Sequence, residues 1–169
     1  YGFVLSLLGV FFLYHWANWL TVLVALIGLF FYVVVYSLWF KRNSIYGTLI
    51  GSISGSIPPV VGYCAVSNKF DLGALILFVL LSVWQMPHSY AIAIFRFNDY
   101  SSAGIPVLPV KKGIQVAKRN MLLYVVIFTV VSSLFFICCY TAKYYFISAL
   151  AVGLWSMRLA ALRFRANNN

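Results

Sequence analysis

The sequence predicts an all-α fold, a polytopic bundle of membrane helices forming one transmembrane domain over residues 1–169. Three observations carry this. Of the 169 residues, 64% are hydrophobic and 8% charged, whereas soluble domains carry about 25% charged residues. The apolar residues fall into runs close to the roughly 20 needed to cross a bilayer. The cations sit between those runs and alternate in side, as loop charges that orient membrane helices do. A net charge of +10 raises nucleic acid as a partner. No basic patch with interleaved polar surface exists to hold it, so the expected partner is the lipid bilayer and not nucleic acid.

Six apolar segments follow in order. Tyr1–Tyr14 is short for a span and reads as the second half of a helix; Trp19–Phe40, Ile45–Val66, Leu72–Phe97, Arg119–Tyr140 and Lys143–Arg163 follow. Trp16, Trp19, Tyr36, Trp39, Tyr140, Tyr144 and Tyr145 lie near span ends, where amphipathic rings favour the interface. Lys41, Arg42, Arg96, Lys111, Lys112, Lys118, Arg119, Arg158, Arg163 and Arg165 fall on one side, against Lys69 and Lys143 on the other. Ten against two makes the first side, with loops 41–44 and 98–118, cytoplasmic. On the other side His15 reads as an interfacial polar residue, and Asp71 as the N-cap of the Leu72 helix. Cys64, Cys138 and Cys139 lack metal-type spacing and read as small apolar side chains. The chain opens on Tyr1 inside an apolar run and closes on Ala166-Asn-Asn-Asn169. It is expected to be incomplete at the N-terminus and also at the C-terminus.

Two segments carry unusual residues. In Ile45–Val66, Gly47, Gly51 and Gly55 recur every four residues beside Thr48, Ser52 and Ser56, a ridge that admits either a neighbouring helix or a flat ligand. Pro58-Pro59 releases the carbonyls of Ser54 and Gly55, and released carbonyls in a membrane must be buried or line a cavity. In Leu72–Phe97, about 26 residues or roughly 39 Å long, His88, Ile92, Arg96 and Asp99 fall within about 80° of one another at helical spacing. Arg96 and Asp99 belong at the inner interface, with His88 about 12 Å deeper. His88 either bonds a nearby carbonyl or serves a site, since intramembrane ionisable groups are costly. Asp99 is the only acid on the basic side. A carboxylate can hold a divalent ion and cations can hold phosphate oxygens, which together suggest a membrane-embedded site for an amphiphile with an anionic head.

The runs Tyr36-Ser-Leu-Trp-Phe-Lys-Arg-Asn-Ser-Ile-Tyr-Gly-Thr48, Gly55-Ser-Ile-Pro-Pro-Val-Val-Gly-Tyr63, Trp84-Gln-Met-Pro-His-Ser-Tyr90 and Ile105-Pro-Val-Leu-Pro109 closely resemble the heme O synthases, or protoheme IX farnesyltransferases, of the UbiA-type intramembrane prenyltransferases. The likeness covers essentially the whole chain. It implies about nine helices around a central cavity, six of them wholly or partly present here, and two acidic motifs that bind diphosphate through Mg²⁺. The first motif is absent. In the second, Arg96 stands where the wider superfamily has aspartate, which agrees with heme O synthases and weakens the case for a complete metal site in this loop.

The resemblance implies farnesyl transfer from farnesyl diphosphate to a vinyl group of protoheme IX, with addition of water, in the bacterial inner membrane. It assigns Asp99 as a Mg²⁺ ligand and Lys41, Arg42 and Arg96 as the diphosphate clamp. Lys111 and Lys112 are further candidates for the clamp or for a heme propionate. Gly51, Gly55, Pro58 and Ile92 are expected to line the cavity, with His88 an iron ligand, porphyrin orienter or base. Association with heme A synthase or terminal oxidase assembly is a further implied partnership. A quinone-precursor prenyltransferase would be expected to keep aspartate at position 96. A transporter with discontinuous helices predicts an internal inverted repeat, which the two halves do not show. An oxidase assembly factor is the remaining alternative.

Overall fold

The computed structural model describes residues 1–166, with side chains through residue 159; the side chains of Arg163 and Arg165, counted above on the basic side, lie outside it. The chain is helical throughout its described spans: α1 (Gly2–Trp16), α2 (Trp19–Asn43), α3 (Gly47–Ser67), α4 (Leu72–Phe95), α5 (Phe97–Ser102), α6 (Leu108–Lys112), α7 (Ile114–Ile137) and α8 (Lys143–Ala166). Four of these, α2, α3, α4 and α7, are long and apolar enough to cross a membrane. The protein is a multi-pass membrane protein.

The long helices pack in chain order, α1 on α2, α2 on α3, α3 on α4, α4 on α7 and α7 on α8. Short α5 and α6 fill the return between α4 and α7. One core cluster joins Val24, Val60, Cys64 and Ala74 across α2, α3 and α4. A second joins Met86, Tyr90, Leu108 and Ala117 across α4, α6 and α7. Large apolar side chains such as Phe11, Phe30, Phe95 and Val130 stay exposed. That is the economy of a bilayer, where lipid is as apolar as the core and close packing holds helices together. Cys64 is fully buried, and all three cysteines are free thiols.

Local chemistry explains the ends. Asn18 caps α2 by accepting from the Thr21 N–H at 2.9 Å, and its amide donates to the Cys64 carbonyl at 2.9 Å, tying the two helix ends together. Asn68 adopts a left-handed conformation (φ 50°) to stop α3. Asp71 caps α4, accepting from the Ala74 N–H at 3.1 Å, and the Tyr63 hydroxyl donates to both its carboxylate oxygens at 2.9 and 3.0 Å.

These bonds, the Ala74 N–H foremost, hold the Asp71 carboxyl below its ordinary value of 3.8. A depressed carboxyl stabilises fully above the unfolded value and stops stabilising as pH falls through the folded one. Asp71→Ala is therefore expected to lower the melting temperature in detergent at neutral pH and to flatten its decline below pH 4. An unchanged melting curve at both pH values would remove Asp71 from this role.

The structure departs from sequence expectation at three places. The Trp19 helix runs on to Asn43, and its Phe31–Phe40 stretch is π-helical; Lys41 N–H bonds the Tyr36 carbonyl and Ser37 Oγ donates to the Tyr32 carbonyl at 2.8 Å, both five residues back. The span expected over Arg119–Tyr140 shifts too, α7 running from Ile114 to Ile137 so that Lys118 lies within it. Most consequentially, α4 ends at Phe95. Arg96 (φ −100°, ψ 34°) breaks the helix, and Asp99 sits on the separate α5. The single face expected to gather His88, Arg96 and Asp99 does not exist, because helical spacing stops counting at a break.

Candidate active site

A cavity of about 1090 Å³ opens between α2, α3, α4 and the α5–α6 return. Its wall changes chemistry along its length. At the basic end it is lined by Lys41, Arg42, Tyr36, Ser44 and Tyr100. In the middle come Ser52, Ser54, Gln85 and Ser89, and at the far end Ala25, Gly28, Leu29, Ile57 and Val61. From Gly47 to Val61 along α3 is roughly 21 Å at 1.5 Å per residue. The arrangement suits a long apolar molecule with an anionic head.

Each wall has a local cause. The π-helical stretch carries Tyr32 and Tyr36, with ring centroids 6.0 Å apart, to the cavity side of α2. Such turns are rare and cluster at functional sites. The glycine ridge of α3 serves both uses open to it. A Cβ on Gly51 would come within 3.0 Å of the Tyr36 ring, and one on Gly55 would meet the Gln85 amide, while both positions line the cavity. Gln85 is pinned by its amide N–H groups, which donate to the Ser52 carbonyl at 3.4 Å and the Leu81 carbonyl at 3.3 Å. Beside it, Ser56 and Ser82 share a 2.7 Å hydrogen bond between α3 and α4. Ser54 and Gly55, whose carbonyls are released by Pro58 and Pro59, lie in the lining together with Pro58.

Gly51, Gly55, Pro58 and Ile92 are thus found in the lining, as are Lys41 and Arg42. The other expected site residues are not. His88 is exposed on another flank of α4, its ring stacked on Trp84 at 5.5 Å and 7°; the α4 residues lining the cavity are Gln85, Ser89, Ile92 and Ala93. Placing His88 inside the cavity is corrected accordingly. Arg96, Asp99 and Lys111 are exposed and outside the lining, and Lys112 lines a different, smaller cavity. Among the described residues no group of three His, Cys, Asp or Glu lies together. Asp99 alone does not fit a Mg²⁺ site.

Sequence reasoning passed over Gln85, Ser89 and Tyr100. Gln85 lies in the Trp84–Tyr90 run, and an amide in an apolar helix is the available signal. Nothing in the sequence announced the π-helical turn.

The UbiA prenyltransferase family model matches residues 1–169. The chain belongs to the UbiA prenyltransferase family. Among similar UbiA relatives are three named protoheme IX farnesyltransferase. That of Baumannia cicadellinicola is 49% identical over 100% of this chain and 59% of the relative. Those of Photorhabdus laumondii and Yersinia pseudotuberculosis are 51% and 52% identical over 100% of this chain, covering 58% and 57% of the relatives. The chain therefore spans a little under three fifths of the length of these UbiA relatives. No solved structure matches it.

Proposed function

We propose that the protein containing this chain transfers the farnesyl group of farnesyl diphosphate to a vinyl group of protoheme IX, with addition of water, giving heme O and diphosphate. The observation that carries the reading is the cavity's gradient, two cations and two tyrosines at one end and an aliphatic pocket at the other. The name shared by the relatives, protoheme IX farnesyltransferase, supplies the matching acceptor and prenyl group.

In this mechanism Lys41 and Arg42 hold the diphosphate oxygens and offset the charge that develops as the allylic C–O bond breaks. The Tyr36 and Tyr100 hydroxyls donate at the same end. Arg96 and Asp99 flank the return that carries Tyr100 and stand outside the cavity lining. The aliphatic end excludes water from the farnesyl chain. The vinyl carbon attacks the allyl cation, forming the new C–C bond; water adds to the resulting benzylic-type cation and releases its proton. The basic end faces the cytoplasm of a bacterial inner membrane, and the product would pass toward heme A synthase or terminal oxidase assembly.

The test is product analysis. Membranes containing the full-length protein are given farnesyl diphosphate and protoheme, and extracted hemes are weighed by mass spectrometry. A heme heavier by one farnesyl group and one hydroxyl is expected. Farnesyl transfer to a quinone precursor, with none to heme, would overturn the acceptor assignment.

A further inference from the structure

A second cavity, about 190 Å³, lies beside the second core cluster at the basic end, between α3, α4, α6 and α7. It is distinct from the active-site cavity. Along α4, Gln85 and Ser89 line the large cavity while Met86 and Tyr90 line the small one. Its polar residues are Tyr46, Tyr90, Lys112, Asn120 and Tyr124, which supply one ammonium, three hydroxyls and an amide with no carboxylate among them.

Tyr90 is the telling member. It is only 7% exposed, and its hydroxyl makes no hydrogen bond among the described residues. Tyr90 is one of the residues lining this cavity. The Asn120 amide is likewise unpaired and half-buried. A lining that gathers an ammonium, hydroxyls and an amide without a protein partner, and no carboxylate, suits an oxyanion.

Position says which oxyanion. The cavity lies against the first turns of α3, the last turns of α4 and the first turns of α7, at the depth where lipid phosphates meet basic side chains. Leu49 and Leu123, 40% and 55% exposed, continue its lining onto the lipid-facing surface. We propose that this cavity binds the phosphate of an anionic phospholipid, with Lys112, Tyr90, Asn120 and Tyr124 holding the phosphate oxygens and Leu49 and Leu123 contacting the acyl chains. This does not depend on the proposed activity.

The test uses the full-length protein purified with phosphatidylglycerol and read by native mass spectrometry. Lys112→Gln and Tyr90→Phe are each expected to reduce retained phosphatidylglycerol roughly five-fold. Arg119→Gln, which removes an exposed charge at the same end but outside the cavity, should stay within about two-fold of wild type. Retention unchanged in Lys112→Gln would overturn the proposal, as would an equal drop in Arg119→Gln, which means bulk attraction only. Displacement of the lipid by inorganic phosphate at its own affinity would assign the cavity to free phosphate and overturn the lipid reading. Lys112 is exposed and its substitution leaves the core intact, so the outcome stands even if Tyr90→Phe destabilises the bundle.

Discussion

Replacing Lys41 and Arg42 together with alanine is expected to lower kcat/KM for farnesyl diphosphate about 10³-fold in the full-length protein. These are the two cations in the described lining of the candidate active-site cavity, and neither is committed to an ion pair there. Both are therefore available to a ligand. Their contribution should exceed that of a surface charge because charge-assisted bonds to phosphate contribute about 1.5–3 kcal/mol each, and more as the leaving group gains charge. Lys111→Ala, at a position outside the lining, is the comparison and should change kcat/KM by less than about three-fold. Steady-state kinetics on reconstituted protein decides it. Equal losses at Lys111 and at the Lys41-Arg42 pair would mean that the basic end acts only through its overall field.

The second large effect is at Gly55. A Cβ there meets the Gln85 carboxamide, and the amide is held only by the long bonds to the Ser52 and Leu81 carbonyls. Gly55→Val would drive Gln85 off both and into the cavity. The expected cost is about 1–3 kcal/mol of stability together with a loss of transfer activity of at least roughly ten-fold. Because the two side chains compete for one space, the costs should not add. In a Gln85→Ala background the stability penalty of Gly55→Val should fall by more than about 0.5 kcal/mol, the signature of contacting residues. Additive penalties in that double-mutant cycle, read by thermal melts in detergent, would show that Gly55 is needed for some other reason.

Parts of this architecture were legible in the sequence because they are written in one dimension. Span lengths, the ten-to-two division of cations and the Asp71 cap all follow from order along the chain. So does the pairing of small residues with Pro58-Pro59 in α3, which pointed to a cavity whose wall does include Gly51, Gly55 and Pro58. The face of α4 was misread for two reasons. Counting at helical spacing passed through Arg96 as though the helix continued, whereas the backbone breaks there. The count also set His88 and Ile92 on one face, yet Ile92 lines the cavity and His88 lies on a flank that does not. A 40° offset is enough to separate a wall from its margin.

By itself, then, the sequence determined an all-helical membrane bundle, its long spans to within a few residues, and its basic end. Only the tertiary structure decided which side of each helix faces the cavity. In soluble proteins the apolar stripe of a helix marks its inward face. Here lipid is as apolar as the interior, so hydrophobicity carries no inward direction. Rotation of α4 about its axis is set by contacts such as Ser56–Ser82 and Gln85 over Gly55, between residues some thirty positions apart. Those contacts carry Gln85 and Ser89 into the site and leave His88 stacked on Trp84 outside it.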